Sequence, residues 1–304
     1  MSGAGHSRVN AGLFPAASAF AIWGAYPLYF HALRSVPPTQ VIAHRIVWSC
    51  LFVLGWMYLR GEISSLRRAF QDRGVLLRLT ATATLITLNW LTYVWGVMHD
   101  RVVETSLGYF IGPLVNVLLG VVLLSERLTV AQWTAVGLAA LGVGYLTVMT
   151  GGLPWIALTL GFSFACYGLL RKLVKVEALP GLAIETLLLA PVALAYLIWC
   201  EHAGVGALGH SNGPTDLLLA GSGPLTAITL FLYAYGTRLL PYSTIGLLQY
   251  IAPSLQFACG LFVLHEPFDH ARAVGFAVIW AALVIYAGEG LRLSRKQQPR
   301  VATA

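Results

Sequence analysis

Charged residues are scarce in this sequence. They make up 10% of its 304 residues, whereas 58% are hydrophobic and the mean hydropathy is +0.74. A soluble protein of this length carries far more charge on its surface. The shortage of charge therefore excludes an ordinary soluble globular protein and favours a chain that is surrounded by lipid.

Cysteine is also sparse, and its spacing excludes two kinds of site. The four cysteines, Cys50, Cys166, Cys200 and Cys259, form no CxxC pair, so neither a zinc site nor a redox pair is expected. We expect no metal and no other cofactor. The apolar stretch at the N-terminus runs on without a convincing cleavage site, which predicts a first membrane span rather than a removable signal peptide.

Basic residues exceed acidic ones, and the formal net charge of +7 would be compatible with nucleic-acid binding. The Lys and Arg residues, however, fall in short clusters between apolar runs, at 60–73, 171–175 and 292–300. Such clusters are typical of the cytoplasmic loops of a multispanning membrane protein. We therefore expect a lipid bilayer, and not a nucleic acid, as the partner of this chain.

Apolar runs divide the chain into ten candidate transmembrane helices, because a span needs about 20 mostly apolar residues. The runs cover residues 12–33, 40–59, 75–97, 104–125, 130–149, 154–170, 181–199, 215–236, 242–264 and 271–291. The sixth run is short, and only Pro241 separates the eighth from the ninth. The sequence thus predicts an all-α integral membrane protein.

The distribution of positive charge predicts the orientation. If the N-terminus is cytoplasmic, the inner segments hold most of the 19 Lys and Arg, and the outer segments hold only Arg34, Arg101 and Arg272. The outer loop at 200–214 contains no basic residue other than histidine. The positive-inside rule therefore predicts that both termini are cytoplasmic.

The sequence contains an internal repeat. The stretch "IGPLVNVLLGVVLLSE" in the fourth span aligns with "IAPSLQFACGLFVLHE" in the ninth, and Pro113 matches Pro253. Each copy contributes five spans, an odd number, so the second copy enters the bilayer in the opposite orientation. We predict two inverted five-helix repeats, residues 1–150 and 151–304. Retention of an old duplication for packing alone is the alternative.

Several motifs are specific to one family. The stretches "WGAYPLYF", "HRIVWS", "NWLTYVWGV", "ETSLGYFIGPLVNVLLGVVLLSERL" and "GLLQYIAP" resemble the RarD proteins, a branch of the EamA group within the drug/metabolite transporter superfamily. The resemblance covers nearly the whole chain and implies ten helices, in two inverted five-helix repeats, in a bacterial inner membrane. The chain departs from the family pattern at Ser125 and His265, where Gly is common, and at Gly112, where Asn is expected.

Polar and aromatic residues recur on matching faces of the spans, because residues three, four and seven apart share one side of a helix. The candidate cavity residues are Trp23, Tyr26, Asn89, Tyr93, Tyr109, Asn116, Tyr167, Tyr233, Gln249 and Gln256. A pocket of aromatic rings and amides suits small, partly apolar metabolites. The alternative is that the amides only join helices beside mid-helix prolines, which we expect at Pro113 and Pro253.

Two ionisable residues stand side by side in the second span. His44 and Arg45 occur in "QVIAHRIVWSCLFVLGWMYL", where a charge is costly. The repeat alignment places His44 over Glu185, so each half has an ionisable residue in its second helix. We regard all three as candidates for gating or proton coupling. Arg45 lies only about 9 Å into its span. Snorkelling to the outer interface, a structural ion pair, and binding of a substrate carboxylate or of an outer-gate partner therefore all remain open.

Several polar residues between the spans suit helix capping. Thr129 and Gln132 have the spacing of a capping box for the fifth span, and Asp269 is placed to cap the tenth. We favour a structural role for Glu126 and Glu266, which lie near these helix starts, and proton coupling is the alternative.

These observations predict a secondary-active or facilitative transporter that works by alternating access. Its expected substrates are small metabolites or drugs, with amino-acid-like and aromatic molecules among them, and protons are a candidate coupling ion. A membrane-embedded enzyme is one alternative, but the sequence has no HExxH, no paired catalytic aspartates and no Ser/His/Asp cluster on one face. No catalytic residue is expected. A passive channel or scaffold is the other alternative, and the oligomeric state is open.

Overall fold

The computed structural model describes residues 3–124, 128–174, 176–240, 244–245 and 248–297 of the chain. Within these residues the regular structure is helical. The helices are α1 Gly3–His31, α2 Pro38–Leu59, α3 Ser64–Gln71, α4 Arg73–Met98, α5 Val102–Leu124, α6 Val130–Met149, α7 Trp155–Leu173, α8 Ala178–His202, α9 Gly213–Leu239, α10 Ile251–Ala258 and α11 His270–Gln297. A π-helical turn, Cys259–Val263, continues α10.

The helices correspond to the predicted spans. In the described part of the chain, 8 helices are long and apolar enough to cross a membrane, and two shorter apolar segments, Trp155–Arg171 and Ile251–Val263, supply the sixth and ninth. The predicted all-α membrane fold is therefore confirmed. The short helix α3 is an addition, because the segment 60–73 had been predicted only as a basic loop. It buries Leu66 and leaves Phe70 exposed.

The ninth predicted span contains a turn at residues 249–250. The helix α10 begins after it at Ile251, residues 244, 245 and 248 before it are also helical, and residues 241–243 and 246–247 lie outside the described ones. Pro253 consequently falls in the first turn of α10, where a missing N–H leaves no hydrogen bond unmade. Its repeat mate Pro113 does lie inside α5. The prediction of a mid-helix proline is therefore right for Pro113 and wrong for Pro253.

The predicted caps at two other helix starts are present. The Thr129 hydroxyl accepts a hydrogen bond from the Gln132 amide, and the Gln132 side chain accepts one in return from the Thr129 amide. Asp269 accepts a 2.8 Å hydrogen bond from the Arg272 amide at the start of α11. Both contacts satisfy N–H groups that the first turn of a helix leaves free.

Contacts between helix ends gather the loops at two faces. At the face that the sequence predicts to be outer, the Trp95 ring near the end of α4 lies 5.4 Å from the Trp155 ring at the start of α7. At the opposite face, Arg78 near the start of α4 donates to the Leu173 carbonyl at the end of α7, at 3.5 Å. We call the first of these the predicted outer face. Successive helix ends therefore lie at alternate faces, as in a chain that crosses a bilayer repeatedly.

The helix contacts support the proposed repeat. Helix α1 packs against α9 as α7 packs against α4, while α2 contacts α8 and α6 contacts α11. The predicted repeat makes four pairs of helices equivalent: α1 and α7, α2 and α8, α4 and α9, and α6 and α11. Exchanging the two helices of every pair turns the α1–α9 contact into the α7–α4 contact, and it leaves the α2–α8 and α6–α11 contacts unchanged. This exchange is what two inverted copies would produce. The division near residue 150 remains a proposal that these contacts favour.

Glycines set the closest approaches between helices. A Cβ built on Gly223 in α9 would lie 2.3 Å from the backbone carbonyl carbon of Trp48 in α2. A Cβ on Gly108 in α5 would lie 2.8 Å from the carbonyl oxygen of Ala157 in α7. Gly112 is buried as well, but a Cβ there would meet no atom within 4 Å. Gly108 therefore serves packing, while Gly112 borders an open space.

Candidate functional site

Arg45 lies in the interior of the bundle and is only 3% exposed. Its Nε donates a 2.9 Å hydrogen bond to Thr226 Oγ1 on α9. Its guanidinium carbon lies 4.0 Å from the centre of the Trp90 ring, and 5.6 and 5.7 Å from the rings of Tyr26 and Phe30. The side chain does not extend to the surface, as a snorkelling arginine would. The aromatic faces instead offset part of its charge.

Arg45 has no acidic partner in the described part of the chain, where every ion pair involves another basic residue. Its neighbour His44 is also buried. A guanidinium stays charged at physiological pH, and a buried charge without a countercharge is costly. Inside a membrane, such a residue is a candidate for function.

Several tyrosine side chains lie near the guanidinium. Tyr26, Tyr29, Tyr93 and Tyr109 are close enough to Arg45 to interact with it electrostatically. The hydroxyls of Tyr26 and Tyr93 are buried and have no hydrogen-bond partner among the described residues. Leaving a buried hydroxyl unpaired costs about 1–3 kcal/mol. A cation and two unpaired hydroxyls therefore share one region of the interior.

Asn89 ties three helices together beside this region. Its Nδ2 donates to the Leu160 carbonyl at 3.0 Å and to Ser163 Oγ at 2.9 Å, both on α7. Its Oδ1 accepts a 3.1 Å hydrogen bond from the Tyr109 hydroxyl on α5. Tyr109 is half-buried, and Gly112 lies almost one turn further along the same helix. Asn89 thus holds the Tyr109 ring near the open space at Gly112.

Glu185 forms a second buried ionic centre and is 2% exposed. Its Oε1 accepts a 2.7 Å hydrogen bond from Thr82 Oγ1 and lies 3.8 Å from Nε of Arg171. The Tyr167 hydroxyl lies 3.5 Å from Oε2. Arg171 also donates to the Glu177 carbonyl at 3.4 Å. Glu185 is therefore paired with a cation, whereas Arg45 has no carboxylate.

Aromatic rings connect the two centres. The consecutive ring contacts are Phe30–Tyr93 at 6.1 Å, Tyr93–Tyr109 at 5.8 Å, Tyr109–Phe164 at 6.0 Å and Phe164–Tyr167 at 6.2 Å. The series starts beside Arg45 and ends at Tyr167, which contacts Glu185. We call these five rings the aromatic wall. It is built from α1, α4, α5 and α7, and so from both proposed halves.

A smaller group of predicted residues includes Trp23, which lies on the same face of α1 as Tyr26 and Phe30. The Trp23 ring lies 5.4 Å from the Tyr233 ring, and Phe20 packs edge-on against both at 5.5 and 5.7 Å. Gln256 on α10 donates a 3.0 Å hydrogen bond to the Trp23 carbonyl. Its Oε1 is buried without a partner among the described residues.

Two predicted cavity residues stand apart from these groups. Asn116 is exposed and Gln249 is half-buried. Within the described ranges, neither side chain forms a hydrogen bond, although Gln249 donates from its backbone to the Ile245 carbonyl. The structure therefore does not join them to Arg45, Glu185 or the Trp23 group.

Several partners in the site were not predicted from the sequence. Thr226 and Trp90 contact Arg45, while Thr82 and Arg171 contact Glu185. Threonine gives no distinctive signal inside a span, and Arg171 was counted only as part of a cytoplasmic cluster. Its position four residues after Tyr167 places both on one face of α7, and this spacing could have indicated it.

Two polar contacts join the proposed halves at the predicted outer face. Gln40 in α2 donates a 2.8 Å hydrogen bond to the Val205 carbonyl and accepts one of 3.0 Å from the Ala207 amide. In the second contact, a side chain of the second proposed half binds the backbone of the first: Glu266 accepts hydrogen bonds from the amides of Val102 and Val103, the latter at 2.8 Å. We call these two contacts the outer clasps.

Glu266 also caps α5, because it binds N–H groups that the first turn leaves free, and a negative charge suits a helix N-terminus. Burial raises the pKa of Glu266 above its usual range, and the two amides only partly offset this effect. The contact favours the structural role expected for Glu266. Glu126, for which the same role was expected, lies outside the described residues.

Comparisons with known proteins agree with this architecture. Residues 10–148 match the EamA-like transporter family. The chain is 42% identical over 287 residues to "Uncharacterized transporter PA0485" of Pseudomonas aeruginosa, covering 93% of this chain and 95% of that protein. It is 40% identical over 292 residues to "Uncharacterized transporter YojE" of Bacillus subtilis, covering 92% and 95%.

Two further comparisons concern the branch and the fold. The chain is 38% identical over 289 residues to "Protein RarD" of Escherichia coli, covering 95% of this chain and 98% of that protein. A solved crystal structure with 19% identity superposes with a TM-score of 0.58 over 93% of this chain and 99% of its own, and so shares the fold. A multispanning helical bundle with a polar, aromatic interior is the architecture of a membrane transport protein. This chain belongs to the EamA-like transporter family, in its RarD branch.

Proposed function

We propose that this protein is a secondary-active or facilitative carrier that moves small metabolites or drugs by alternating access. The observation that carries the proposal is the aromatic wall between Arg45 and Glu185, to which both proposed halves contribute. In carriers built from inverted repeats, the substrate site lies at the interface of the repeats near the middle of the bilayer. The rings, hydroxyls and buried charges supply the mixed surface that a small organic substrate needs.

The outer clasps fit one state of such a cycle. Gln40 and Glu266 each bind backbone groups of the other proposed half at the predicted outer face. Hydrogen bonds of this kind hold the two halves together on one side. Alternating access requires that they break when the site opens to that side, so the described conformation corresponds to a state closed at the predicted outer face.

We further propose that the protein resides in a bacterial inner membrane with both termini in the cytoplasm, as the distribution of Lys and Arg indicates. Single cysteines at Ser64 and Val205, in a background without native cysteines, test the orientation. Val205 is 55% exposed, whereas a Cβ at Gly206 would lie 2.3 Å from Glu201 Oε2. An impermeant thiol reagent added to intact cells should label Val205→Cys and not Ser64→Cys. The reverse result would invert the topology.

Transport is tested with purified protein in sealed vesicles that are loaded with a defined mixture of metabolites. Mass spectrometry of the external medium follows efflux, and each released compound is then tested for counterflow. The proposal predicts saturable flux of at least one compound and its acceleration by the same compound on the other side. Vesicles without protein correct for leakage.

The alternatives give different results in the same preparation. A membrane-embedded enzyme would convert a compound in detergent, without a sealed compartment. A passive channel would show flux without counterflow, and a scaffold would show neither flux nor conversion. Any of these three outcomes would contradict the carrier.

A further inference from the structure

The environment of Arg45 has the chemistry of an anion site. Its Nε is bound to Thr226, but neither terminal guanidinium nitrogen has a hydrogen bond to any described residue. The contact of 4.0 Å with the face of Trp90 engages the positive charge without using an N–H donor. The terminal N–H groups are those that bind a carboxylate in the two-pronged geometry typical of arginine.

A second observation points to a ligand in the same place. The buried hydroxyls of Tyr26 and Tyr93 lack partners among the described residues. The Tyr26 ring lies 5.6 Å from the guanidinium carbon of Arg45, and the Tyr93 ring lies 6.1 Å from the Phe30 ring, which also contacts that guanidinium. Buried polar groups are normally satisfied, and exceptions need an explanation. A ligand oxygen bound to the guanidinium could accept a hydrogen bond from either hydroxyl. One ligand would therefore explain the unpaired charge and the unpaired hydroxyls together.

The surrounding rings define the rest of the ligand. Phe30, Tyr93, Tyr109 and Phe164 follow one another along the aromatic wall, and of these Tyr109 is half-buried and Phe164 is exposed. In the described part of the chain, Arg45 has no carboxylate beside it that could bind a cationic group of a ligand. The site therefore suits a negative charge attached to an apolar or aromatic body, and its described residues offer no countercharge to a free ammonium group at the same end.

We infer that Arg45, with Tyr26 and Tyr93, binds the carboxylate of a small organic acid whose apolar or aromatic body lies along the aromatic wall. The inference rests on the carrier function proposed above, because it names the substrate class of that same site. It also changes the significance of Arg45. The residue is the positive half of an ion pair that is completed only when substrate is bound.

Thermal unfolding of the purified protein in detergent tests the inference without any need for transport. The probes are phenylacetate, its neutral counterpart phenylacetamide and the cation phenethylamine, together with the aliphatic pair hexanoate and hexanamide. A ligand that binds only the folded protein raises the melting temperature in a saturable way. We expect at least one of the two acids to do so, with the neutral and cationic probes at least tenfold weaker.

Variants assign the effect to the site. Arg45→Gln should abolish stabilisation by the acid, and Tyr93→Phe, which removes one hydroxyl and keeps the ring, should weaken binding several-fold. Arg45→Lys keeps the charge but loses the two-pronged donor, so a weakened response is expected and keeps the test valid if Arg45→Gln does not fold. Thr39→Val is a matched control, because Thr39 pairs with Tyr196 at the surface, and it should behave as wild type.

Three results would overturn the inference. They are no stabilisation by either acid, equal stabilisation by an acid and its amide, and an unchanged response in both Arg45 variants. The vesicle assay separates this failure from failure of the proposed function. Saturable flux of a neutral or cationic compound would retain the carrier and reject the acid site. Acid binding without flux in sealed vesicles would retain the acid site and reject the carrier.

Discussion

Arg45 and Glu185 are both buried, each in the second helix of a proposed half, but their charges are stabilised differently. Arg45 relies on aromatic faces and one hydroxyl. Glu185 has Arg171 within 3.8 Å and a hydrogen bond from Thr82. The sequence identified both positions, because a charged residue inside an apolar run is conspicuous. It could not identify Thr226 or Thr82, whose contacts depend on how the helices are rotated and packed.

The coupling energy of the Glu185–Arg171 ion pair can be measured. Because Glu185 is almost fully buried, a double-mutant cycle with Glu185→Gln and Arg171→Gln should give a coupling of about 0.5–3 kcal/mol. Unfolding in mixed detergent micelles with increasing dodecyl sulfate supplies the free energies. The exposed pair Arg60–Glu62, at 3.4 Å, is the control and should give roughly 0–1 kcal/mol. A coupling near zero for the buried pair would show that Arg171 does not stabilise the Glu185 charge.

Gly223 shows how a single glycine sets the contact between two helices. Its absence of a side chain lets α9 contact the backbone of α2 at Trp48, next to the segment that carries Arg45. Apolar periodicity predicts where such helices lie in sequence, but not which glycine meets a neighbouring backbone. Gly108 and Gly112 show the same limit, because both lie on α5 four residues apart but only a Cβ on Gly108 would meet another helix.

Gly223→Ala should destabilise the bundle, because its Cβ would lie 2.3 Å from a backbone atom that cannot rotate away. Forcing extra volume into a packed interior costs typically about 1–3 kcal/mol. Gly137→Ala in α6 is the matched control, since its Cβ would meet nothing within 4 Å, and alanine favours helix by about 0.5–1 kcal/mol. Comparison of melting temperatures in detergent checks both. If Gly223→Ala is as stable as Gly137→Ala, α2 and α9 are not in close contact.

Glu266, between α10 and α11, predicts a pH effect. Its pKa is raised in the folded protein, so the ionised form is less favoured there than in the unfolded chain. Protonated Glu266 therefore contributes to folding stability below the usual glutamate pKa of about 4.3. This contribution is lost as pH rises through the pKa of Glu266 in the folded protein. Wild type should therefore lose stability relative to Glu266→Gln, which does not titrate, as pH rises. A difference in melting temperature that stays constant from about pH 4 to pH 8 would contradict the raised pKa.

For the molecule as a whole, the number of apolar spans and their membrane character were predictable, because both follow from the lengths of apolar runs. The aromatic wall was only partly predictable. Tyr93, Tyr109 and Tyr167 were selected by their spacing, but Phe164 was not, and Asn116 shares their pattern without joining them. Which faces turn inward is decided by contacts between helices, and these contacts are not encoded in the period of any single helix.

Alternating access requires the interior next to the aromatic wall to be open to each side of the membrane in turn. Gly112→Cys is the most direct probe, because Gly112 is buried and a Cβ there meets no atom within 4 Å. In a background without native cysteines, an impermeant thiol reagent should react with it from the cytoplasmic side, while the outer clasps are closed. Gln40→Ala, which removes one clasp, should increase reaction from the outside and decrease it from the cytoplasm. No reaction from either side, or equal reaction from both sides that the Gln40 variant leaves unchanged, would contradict alternating access.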